Sequence, residues 1–203
     1  MADKILMNKN SLAALKTELR EYNTALPVFE MKEQQLKEVV QVIEHNISRL
    51  QNTIEQTNEE TKKWVAVMAE DTIDLSDITK VDHVITEKRE IAGVTIQVFS
   101  DIVFESTEVN LFTTPLWVDA AIEVVIDQKT NHTILEIEKK NMGLLREELA
   151  EARRMKNALK EVFIPETMEN IRKIEIYLGD VERLTIGCAK LVKKKKQDKK
   201  AIL

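Results

Sequence analysis

A seven-residue repeat of apolar positions occupies the first third of the chain. In alternating steps of three and four residues it passes through Leu12, Leu15, Leu19, Tyr22, Leu26, Phe29, Glu33, Leu36, Val40, Ile43, Ile47, Leu50, Ile54, Thr57, Thr61, Trp64 and Met68. Only Glu33, Thr57 and Thr61 are not apolar. Such a repeat keeps one face of an α-helix against a partner helix when the two supercoil left-handedly. The pattern predicts a helix on the order of 85 Å long, which needs a partner of similar length.

A second apolar stripe, in the last third of the chain, provides that partner. It comprises Met142, Leu145, Leu149, Ala152, Leu159 and Phe163 and, after Pro165, Ile171, Ile174, Leu178, Val181, Thr185, Cys188 and Val192. We expect its helix to start at Thr114-Pro115, where a capping hydroxyl precedes a proline, and to weaken over Lys129–Thr133. From Phe163 to Ile171 the spacing is eight residues instead of seven. One inserted residue must therefore be absorbed by a kink or local unwinding.

Between the two stripes the pattern changes and β-branched residues become common. Val84–Thr86 and Val94–Phe99 are typical of short strands, and Ala92-Gly93 supplies a turn at which Gly can take a positive φ. Alternate residues of the second strand, starting with Val94, share one face. Because a two-stranded hairpin is only marginally stable in water, we expect this one to rest on the helices or on another subunit.

The predicted fold class is mainly α. The N- and C-terminal helices form a long antiparallel two-helix coiled coil, and a small central insert contains the β-hairpin. Residues 1–70 form the N-terminal helix, residues 71–114 the insert, and residues 115–203 the C-terminal helix with its lysine-rich end.

Two groups of residues mark special places in this architecture. Antiparallel pairing puts Pro27 and Pro165 at the same level, which predicts a shared bend or loosened packing there. Trp64, Phe112 and Trp117 bracket the insert, and we expect them to form a small core where the helices meet the hairpin.

Composition supports a long-helix protein and disfavours other classes. Four Gly, three Pro and 4% aromatic residues argue against a compact β or α/β body, whereas 32% charged residues fit long helices. The net charge of −5 does not suggest a nucleic-acid-binding protein. The chain lacks an apolar run of ~18 residues and a signal-peptide pattern. We expect a soluble protein that associates with membranes only through partners.

The C-terminal end carries the most uneven charge. Its lysines are Lys190, Lys193, Lys194, Lys195, Lys196, Lys199 and Lys200. A solvated helix end whose lysines suit the helix dipole is the simplest interpretation. Docking into an acidic partner comes next, and nucleic-acid or membrane-surface binding is least favoured because no aromatic residues are interleaved. Cys188 is the single cysteine; it excludes an intramolecular disulfide, suggests a reducing compartment and, on its apolar stripe, predicts a buried thiol.

The sequence offers no arrangement that predicts catalysis, a cofactor site or a metal site. There is no Gly-x-x-x-x-Gly-Lys-Ser/Thr loop or other Gly-rich phosphate cradle. His45, His83 and His132 are far apart in the sequence, which disfavours a metal site built on histidines. We therefore expect a non-catalytic protein that has no cofactor.

Several segments resemble one family in a matching order along the chain. Arg153–Leu159 and Val162–Pro165 resemble the basic-Asn-Ala-Leu … Ile-Pro segment of the D subunit of V-type and archaeal-type ATPases. Glu90–Val94 is similar to that family's Ile-Ala-Gly-Val turn, which precedes a Val-Phe strand, here Val98-Phe99. Leu26–Lys32 is similar to its Leu-Leu-Lys-x-Lys region.

The resemblance implies a central rotor shaft. Such a shaft would couple ATP hydrolysis or synthesis in a hexameric catalytic head to proton or sodium translocation by a membrane rotor. The paired terminal helices would enter the pore formed by the catalytic and regulatory subunits. The insert and lower shaft would bind the small F subunit and couple to the membrane-rotor adaptor subunit. The protein would be cytoplasmic and peripheral to the membrane, without direct membrane insertion or nucleic-acid binding.

The same resemblance implies which residues meet each partner. Those for the catalytic head are Leu12, Leu15, Leu19, Lys190, Lys193, Lys194, Lys195 and Lys196. Those for the small F subunit of the stalk are Ile91, Val94, Ile96, Val98, Phe99 and Trp117, and the expected shaft kink is at Pro27 and Pro165. We expect the lysines to face acidic surfaces that line the pore.

Three other classes remain as alternatives. A prefoldin-like chaperone or structural tether also joins coiled-coil helices through β-hairpins, but would hold clients at splayed helix tips. The γ subunit of F-type ATP synthases has a similar role with a larger central domain. An enzyme is least favoured, because no nucleophile–base pair or metal constellation can be assembled.

Overall fold

Long helices and one hairpin make up the architecture. The computed structural model describes residues 6–63, 78–105, 115 and 117–201. In chain order the elements are α1 (Lys9–Lys62), β1 (Val81–Ile91), β2 (Val94–Phe104), α2 (Val118–Ala158), a π-helix (Leu159–Phe163) and α3 (Ile164–Ala201). The predicted fold class is confirmed: the chain is mainly helical, with long N- and C-terminal helices and a central two-stranded antiparallel hairpin. Across the described residues, no helix has the length and apolar character that crossing a membrane requires.

The backbone divides into two compact units. One comprises Lys32–Glu151, and the other comprises Met1–Met31 together with Ala152–Leu203. We call the first the hairpin unit and the second the terminal unit.

In the hairpin unit, α1 and α2 run antiparallel. Arg146 Nη2 lies 2.6 Å from Glu44 Oε1, and Lys32 forms an ion pair with Glu148. Residues that come later in α1 thus face residues that come earlier in α2. The buried positions of α1 follow the predicted heptad seam: Leu36, Val40, Ile43, Ile47 and Ile54. Packing along a seam of this kind, and not a broad core, holds the two helices together.

In the terminal unit, α1 runs antiparallel to α3. Lys16 Nζ lies 2.6 Å from Glu175 Oε1, and the ring of Tyr22 stacks on that of Phe163. The cap of α1 is Asn8, whose Oδ1 accepts a hydrogen bond from the Ser11 N–H at 2.7 Å.

Two predicted features of α2 are wrong. The helix begins at Val118 instead of Pro115, and the N–H of Val118 donates to the Pro115 carbonyl at 3.1 Å in a turn before the helix. The predicted weakening over Lys129–Thr133 does not occur. The hydroxyls of Thr130 and Thr133 donate to carbonyls one turn earlier in the same helix, so these residues are accommodated without a break. The predicted residues Trp64, Met68, Phe112 and Thr114 lie outside the described residues.

Candidate partner-binding surfaces

The hairpin turn places two successive residues at positive φ. Ile91 pairs with Val94, and the intervening Ala92 and Gly93 have φ values of 51° and 83°. This is the pattern of a type I′ turn, whose twist matches that of the flanking strands. Gly93 adopts it without a steric penalty, as predicted, whereas the Cβ of Ala92 makes the same region unfavourable. The turn therefore carries local strain at Ala92.

The hairpin is longer than the sequence predicts and contains two bulges. Asp82 in β1 and Ser100 in β2 have no residue opposite them in the register. The strands run well past Val84–Thr86 and Val94–Phe99, to 11 residues each. A bulge changes which side chains share a face. The predicted alternation holds near the turn, where Ile96 is buried, and is lost toward the far end.

A side-chain amide from α2 closes part of the outer edge of β2. Asn141 Nδ2 donates to the Gln97 carbonyl at 2.6 Å, and the Gln97 N–H donates to Asn141 Oδ1 at 3.1 Å. The amide thus makes the pair of hydrogen bonds that a neighbouring strand would make. Asn141 is only 4% exposed, so these bonds are shielded from water. Sequence reasoning missed this residue, because its partner, Gln97, is far away in the sequence.

Three of the residues predicted to bind the small F subunit face the helices of their own chain. Ile91, Ile96 and Val98 line a cavity of about 340 Å³ beneath the hairpin, and Val39 and Val42 of α1 contribute to its other wall. Ile96 is 5% exposed. The role of these three residues in a subunit interface stays a prediction.

The other predicted residues of this set are less buried. Val94, Phe99 and Trp117 are half-buried, and Trp117 Nε1 finds no acceptor among the described residues. Farther along β1, Val84 and Ile85 are 36% and 42% exposed. Both were predicted as part of a strand but not as part of an interface. Because successive side chains of a strand point to opposite faces, each face of the hairpin carries one of these exposed apolar side chains.

Charged groups also line the cavity beneath the hairpin. They are Glu38 of α1, Arg89 of β1 and Glu138 of α2. Burial raises the pKa of the Glu138 carboxyl above its ordinary value of 4.5. Across the described residues, no three His, Cys, Asp or Glu side chains form a group that could hold a metal ion. The cavity therefore combines apolar walls with a carboxyl group whose ionisation is disfavoured by its surroundings.

Lys129 and Gln128 anchor the base of the hairpin unit. Lys129 Nζ donates to the carbonyl and the hydroxyl oxygen of Thr79 at 2.6 and 2.9 Å. Thr79 is fully buried just before β1. Gln128 Nε2 donates to Asn58 Oδ1 at 3.2 Å, which joins α2 to the end of α1. These bonds fix where the hairpin leaves the helices.

The segment of α3 from residue 180 to residue 197 is exposed on all sides. Every residue from Asp180 to Gln197 is exposed, and so are the predicted head-binding residues Lys190, Lys193, Lys194, Lys195 and Lys196. Leu184 and Leu191 are 69% and 62% exposed. The predicted burial of Cys188 is wrong, because its thiol lies on this exposed segment. The predicted head-binding residues of α1 differ in exposure: Leu12, Leu15 and Leu19 are half-buried.

The one-residue slip in the C-terminal stripe is a π-helix. Over Leu159–Phe163 the turn widens, and the N–H of Ile164 donates to the carbonyl of Leu159, five residues back. A π-turn accommodates one residue more than a regular α-helix. Pro165 gives a physical reason for its place, because in an α-helix the proline ring would press on the carbonyl of Glu161.

Tyr22 of α1 contacts the π-helix directly. Its ring stacks on Phe163 with centroids 5.6 Å apart and an interplanar angle of 27°. The Tyr22 hydroxyl donates to the Glu18 carboxylate at 2.5 Å, and this hydrogen bond raises the pKa of the phenol above 10.0. α1 itself continues as an α-helix through Pro27. The predicted bend shared by the two prolines stays a prediction.

Comparisons with known proteins agree on one family. The family model for the D subunit of ATP synthase matches residues 11–194. The D subunit of a V-type ATP synthase from Borreliella burgdorferi is 32% identical over 192 residues, which cover 94% of each chain. Proteins of the same name from Chlamydia abortus and Chlamydia trachomatis are 28% and 29% identical, over 98% of this chain and 97% and 100% of their own lengths. The match includes the hairpin, the π-helix and most of α3.

Proposed function

The chain belongs to the family of ATP synthase D subunits, and from this premise we propose that it is the central rotor shaft of a V-type ATPase or ATP synthase. It couples ATP hydrolysis or synthesis in the catalytic head to ion translocation by the membrane rotor, and it has no catalytic residues of its own. Its partners are the catalytic and regulatory subunits of the head, the small F subunit and the adaptor subunit of the membrane rotor. It works on the cytoplasmic side, peripheral to the membrane.

The exposed end of α3 carries this proposal. Val181, Leu184, Cys188 and Leu191 follow one another in steps of three, four and three, which places them on one face of the helix. All four are exposed. An apolar helix face of this kind is expected to lie against a partner in the working assembly. Because the lysines follow on the same segment, the partner should combine apolar and acidic surfaces, as the pore of a catalytic head would.

Torque then depends on differences between contacts. A ring of catalytic interfaces presents conformations with different nucleotide affinities, and the shaft favours one of them only where it binds that conformation more tightly. By linkage, nucleotide binding then favours one shaft orientation. Apolar and cationic side chains are unevenly distributed around α3. The contacts that α3 makes with each catalytic interface therefore change as the shaft turns.

The hairpin is the second proposed surface, for the small F subunit. Val84 and Ile85 are its most exposed large apolar residues, and the anchors at Asn141 and Lys129 hold it in place. Apolar side chains on a pre-positioned backbone bind with less loss of conformational entropy than those on a mobile one.

Charge reversal at the α3 end tests the head-binding surface. Lys190, Lys193, Lys194, Lys195 and Lys196 are all changed to Glu, and the tagged protein is used to capture ATPase subunits from native membranes. We expect capture of catalytic subunits to fall at least about tenfold, because acidic pore walls would repel the new carboxylates. The control makes the same charge change at five exposed lysines elsewhere: Lys37, Lys62, Lys88, Lys139 and Lys140.

Two results would contradict the proposal. The first is normal capture and nucleotide-dependent rotation by the α3 variant. The second is a wild-type protein that assembles into hexamers without any ATPase subunit, which would favour the prefoldin-like tether.

A further inference from the structure

Buried residues recur at a spacing of seven before the π-helix and again after it. The spacing across the π-helix is different. Ala152 and Leu159 are seven residues apart, and so are Thr167 and Ile174; all four are at most 6% exposed. From Leu159 to Thr167 the step is eight. The π-helix, Leu159–Phe163, therefore holds one surplus residue that neither buried stripe needs.

The surplus residue can move in one direction only, and the Pro165 ring opposes the move, because it presses on the Glu161 carbonyl once the turn is α-helical. If the Ile164 N–H changes its acceptor from the Leu159 carbonyl to the Lys160 carbonyl, the turn becomes α-helical and the wide turn moves toward Ala152. One hydrogen bond replaces another in this step. Movement the other way would need an N–H at residue 165, and Pro165 has none. Pro165 thus prevents the wide turn from moving toward the C-terminus.

The surroundings of the π-helix tolerate such a rearrangement. Residues 160–163 are all exposed, Val162 and Phe163 by 51% and 40%, so Leu159 is the one residue of this turn that is packed in a core. A rearrangement of a π-turn rotates the flanking helical segments about their common axis by up to about 100° per residue gained or lost. The main contact it disturbs is the stack between Phe163 and Tyr22.

We propose that the π-helix is a twist joint, at which the helix that contains Ala152–Ala158 and α3 changes its local winding without unfolding. The use of this joint in a turning shaft rests on the proposed function. Its existence does not, because it follows from the buried pattern, the hydrogen bond of Ile164 and the position of Pro165. In the shaft, the joint would take up angular displacement between the two flanking segments.

Deletion of Val162 tests the joint on the isolated full-length protein, in a Pro165→Ala background so that no proline ring opposes a regular α-helix. The step from Leu159 to Thr167 becomes seven, so a regular α-helix satisfies both buried stripes. In the wild type, amides of residues 160–164 should exchange with solvent at least about tenfold faster than amides elsewhere in the terminal unit of the same exposure. The deletion should slow them by a similar factor and should remove microsecond-to-millisecond relaxation dispersion from these amides.

A matched deletion controls for general damage. Removing Arg172, which is exposed, disrupts the spacing between Ile171 and Ile174 in a regular helix and should lower the thermal midpoint. Deleting Val162 in the Pro165→Ala background should leave the midpoint equal to or higher than that of Pro165→Ala alone. An equal loss of thermal midpoint in the Val162 and Arg172 deletion variants would show that the π-helix holds no surplus residue. Unchanged amide exchange at residues 160–164 in a folded Val162 deletion variant would show that there is no joint. Either result overturns the proposal.

Pro165→Ala separates the proline from the surplus residue. Because the step of eight remains, fast exchange should persist, and it should extend into residues 166–169, since the wide turn can then move toward the C-terminus. Loss of fast exchange in this variant would mean that the proline alone creates the wide turn, against the proposal. A wild-type protein that captures no head subunits would refute the rotor function and leave these measurements valid.

Discussion

Two single residues in the hairpin unit determine features of its backbone. Ala92 holds a backbone conformation that its Cβ disfavours, and Asn141 replaces a missing strand at the edge of β2. Both residues act on the backbone, through conformation in one case and hydrogen bonding in the other. Their effects can therefore be measured separately from packing.

Exchanging the turn residues should change stability in opposite directions. Ala92→Asn should raise the free energy of unfolding by about 0.5–1 kcal/mol, because Asn tolerates the left-handed region better than Ala. Gly93→Ala should lower it by about 1 kcal/mol or more. A Cβ built at Gly93 meets no atom within 4 Å, so this loss would come from the positive φ and not from a clash. Urea denaturation followed by circular dichroism measures both, and a neutral Gly93→Ala would argue against the type I′ turn.

Removing the Asn141 amide should destabilise the hairpin unit. Asn141→Ala leaves the Gln97 N–H and carbonyl without their partner in a half-buried place, at a cost of about 1–3 kcal/mol. Gln97→Ala is the control, since Gln97 bonds through its backbone and its side chain is exposed; it should stay within about 0.5 kcal/mol of wild type. Amide exchange at residue 97 should accelerate only in the Asn141 variant. Similar losses of stability in the Asn141→Ala and Gln97→Ala variants would contradict this role of the Asn141 amide.

Glu138 should make stability depend on pH in a predictable direction. Because its pKa is raised in the folded state, folding disfavours the carboxylate. The penalty is fully present at neutral pH and disappears as pH falls through the raised pKa to below about 4.5. Glu138→Gln should therefore be more stable than wild type at pH 7, and the difference should vanish in acid. The exposed Glu136→Gln is the control, and a difference that grows in acid would contradict the assignment.

At the level of elements, the heptad pattern predicted α1 and even the slip that became the π-helix. Spacing along one helix is a local property, so the sequence contains it. The continuity of α2 was not predictable in this way, because polar and β-branched residues near Thr130 have weak helix propensity. The bonds of Lys129 to Thr79 and of Gln128 to Asn58 join residues far apart in sequence and override that propensity. Asn141 was missed for the same reason: its partner, Gln97, is set by tertiary structure.

Truncation after Arg183 should separate the folding of α3 from its proposed binding role. Residues 184–197 are exposed, so their removal should shift the thermal midpoint by no more than about 2 °C. Helical circular dichroism should fall in proportion to the residues removed. Capture of head subunits should be lost. A midpoint lower by several degrees would show that this segment packs against the rest of the chain.

For the whole molecule, charge is divided between a lysine-rich end and an acidic remainder. The chain has 35 acidic and 30 Lys and Arg residues, yet the segment 190–197 carries five lysines and no acidic residue. A partner that attracts this end repels the remainder, which would give the proposed insertion into the head a direction. Because exposed charges are screened by salt, assembly through this end should weaken as ionic strength rises.

The exposed thiol of Cys188 offers a built-in reporter of that assembly. As the sole sulfhydryl of the chain, it should react with a maleimide dye at one label per molecule. Free protein should label quickly, and protein seated in the head should be shielded, so the ratio of the two rates gives occupancy without any engineered residue. Equal rates in both states would place the tip of α3 outside the pore.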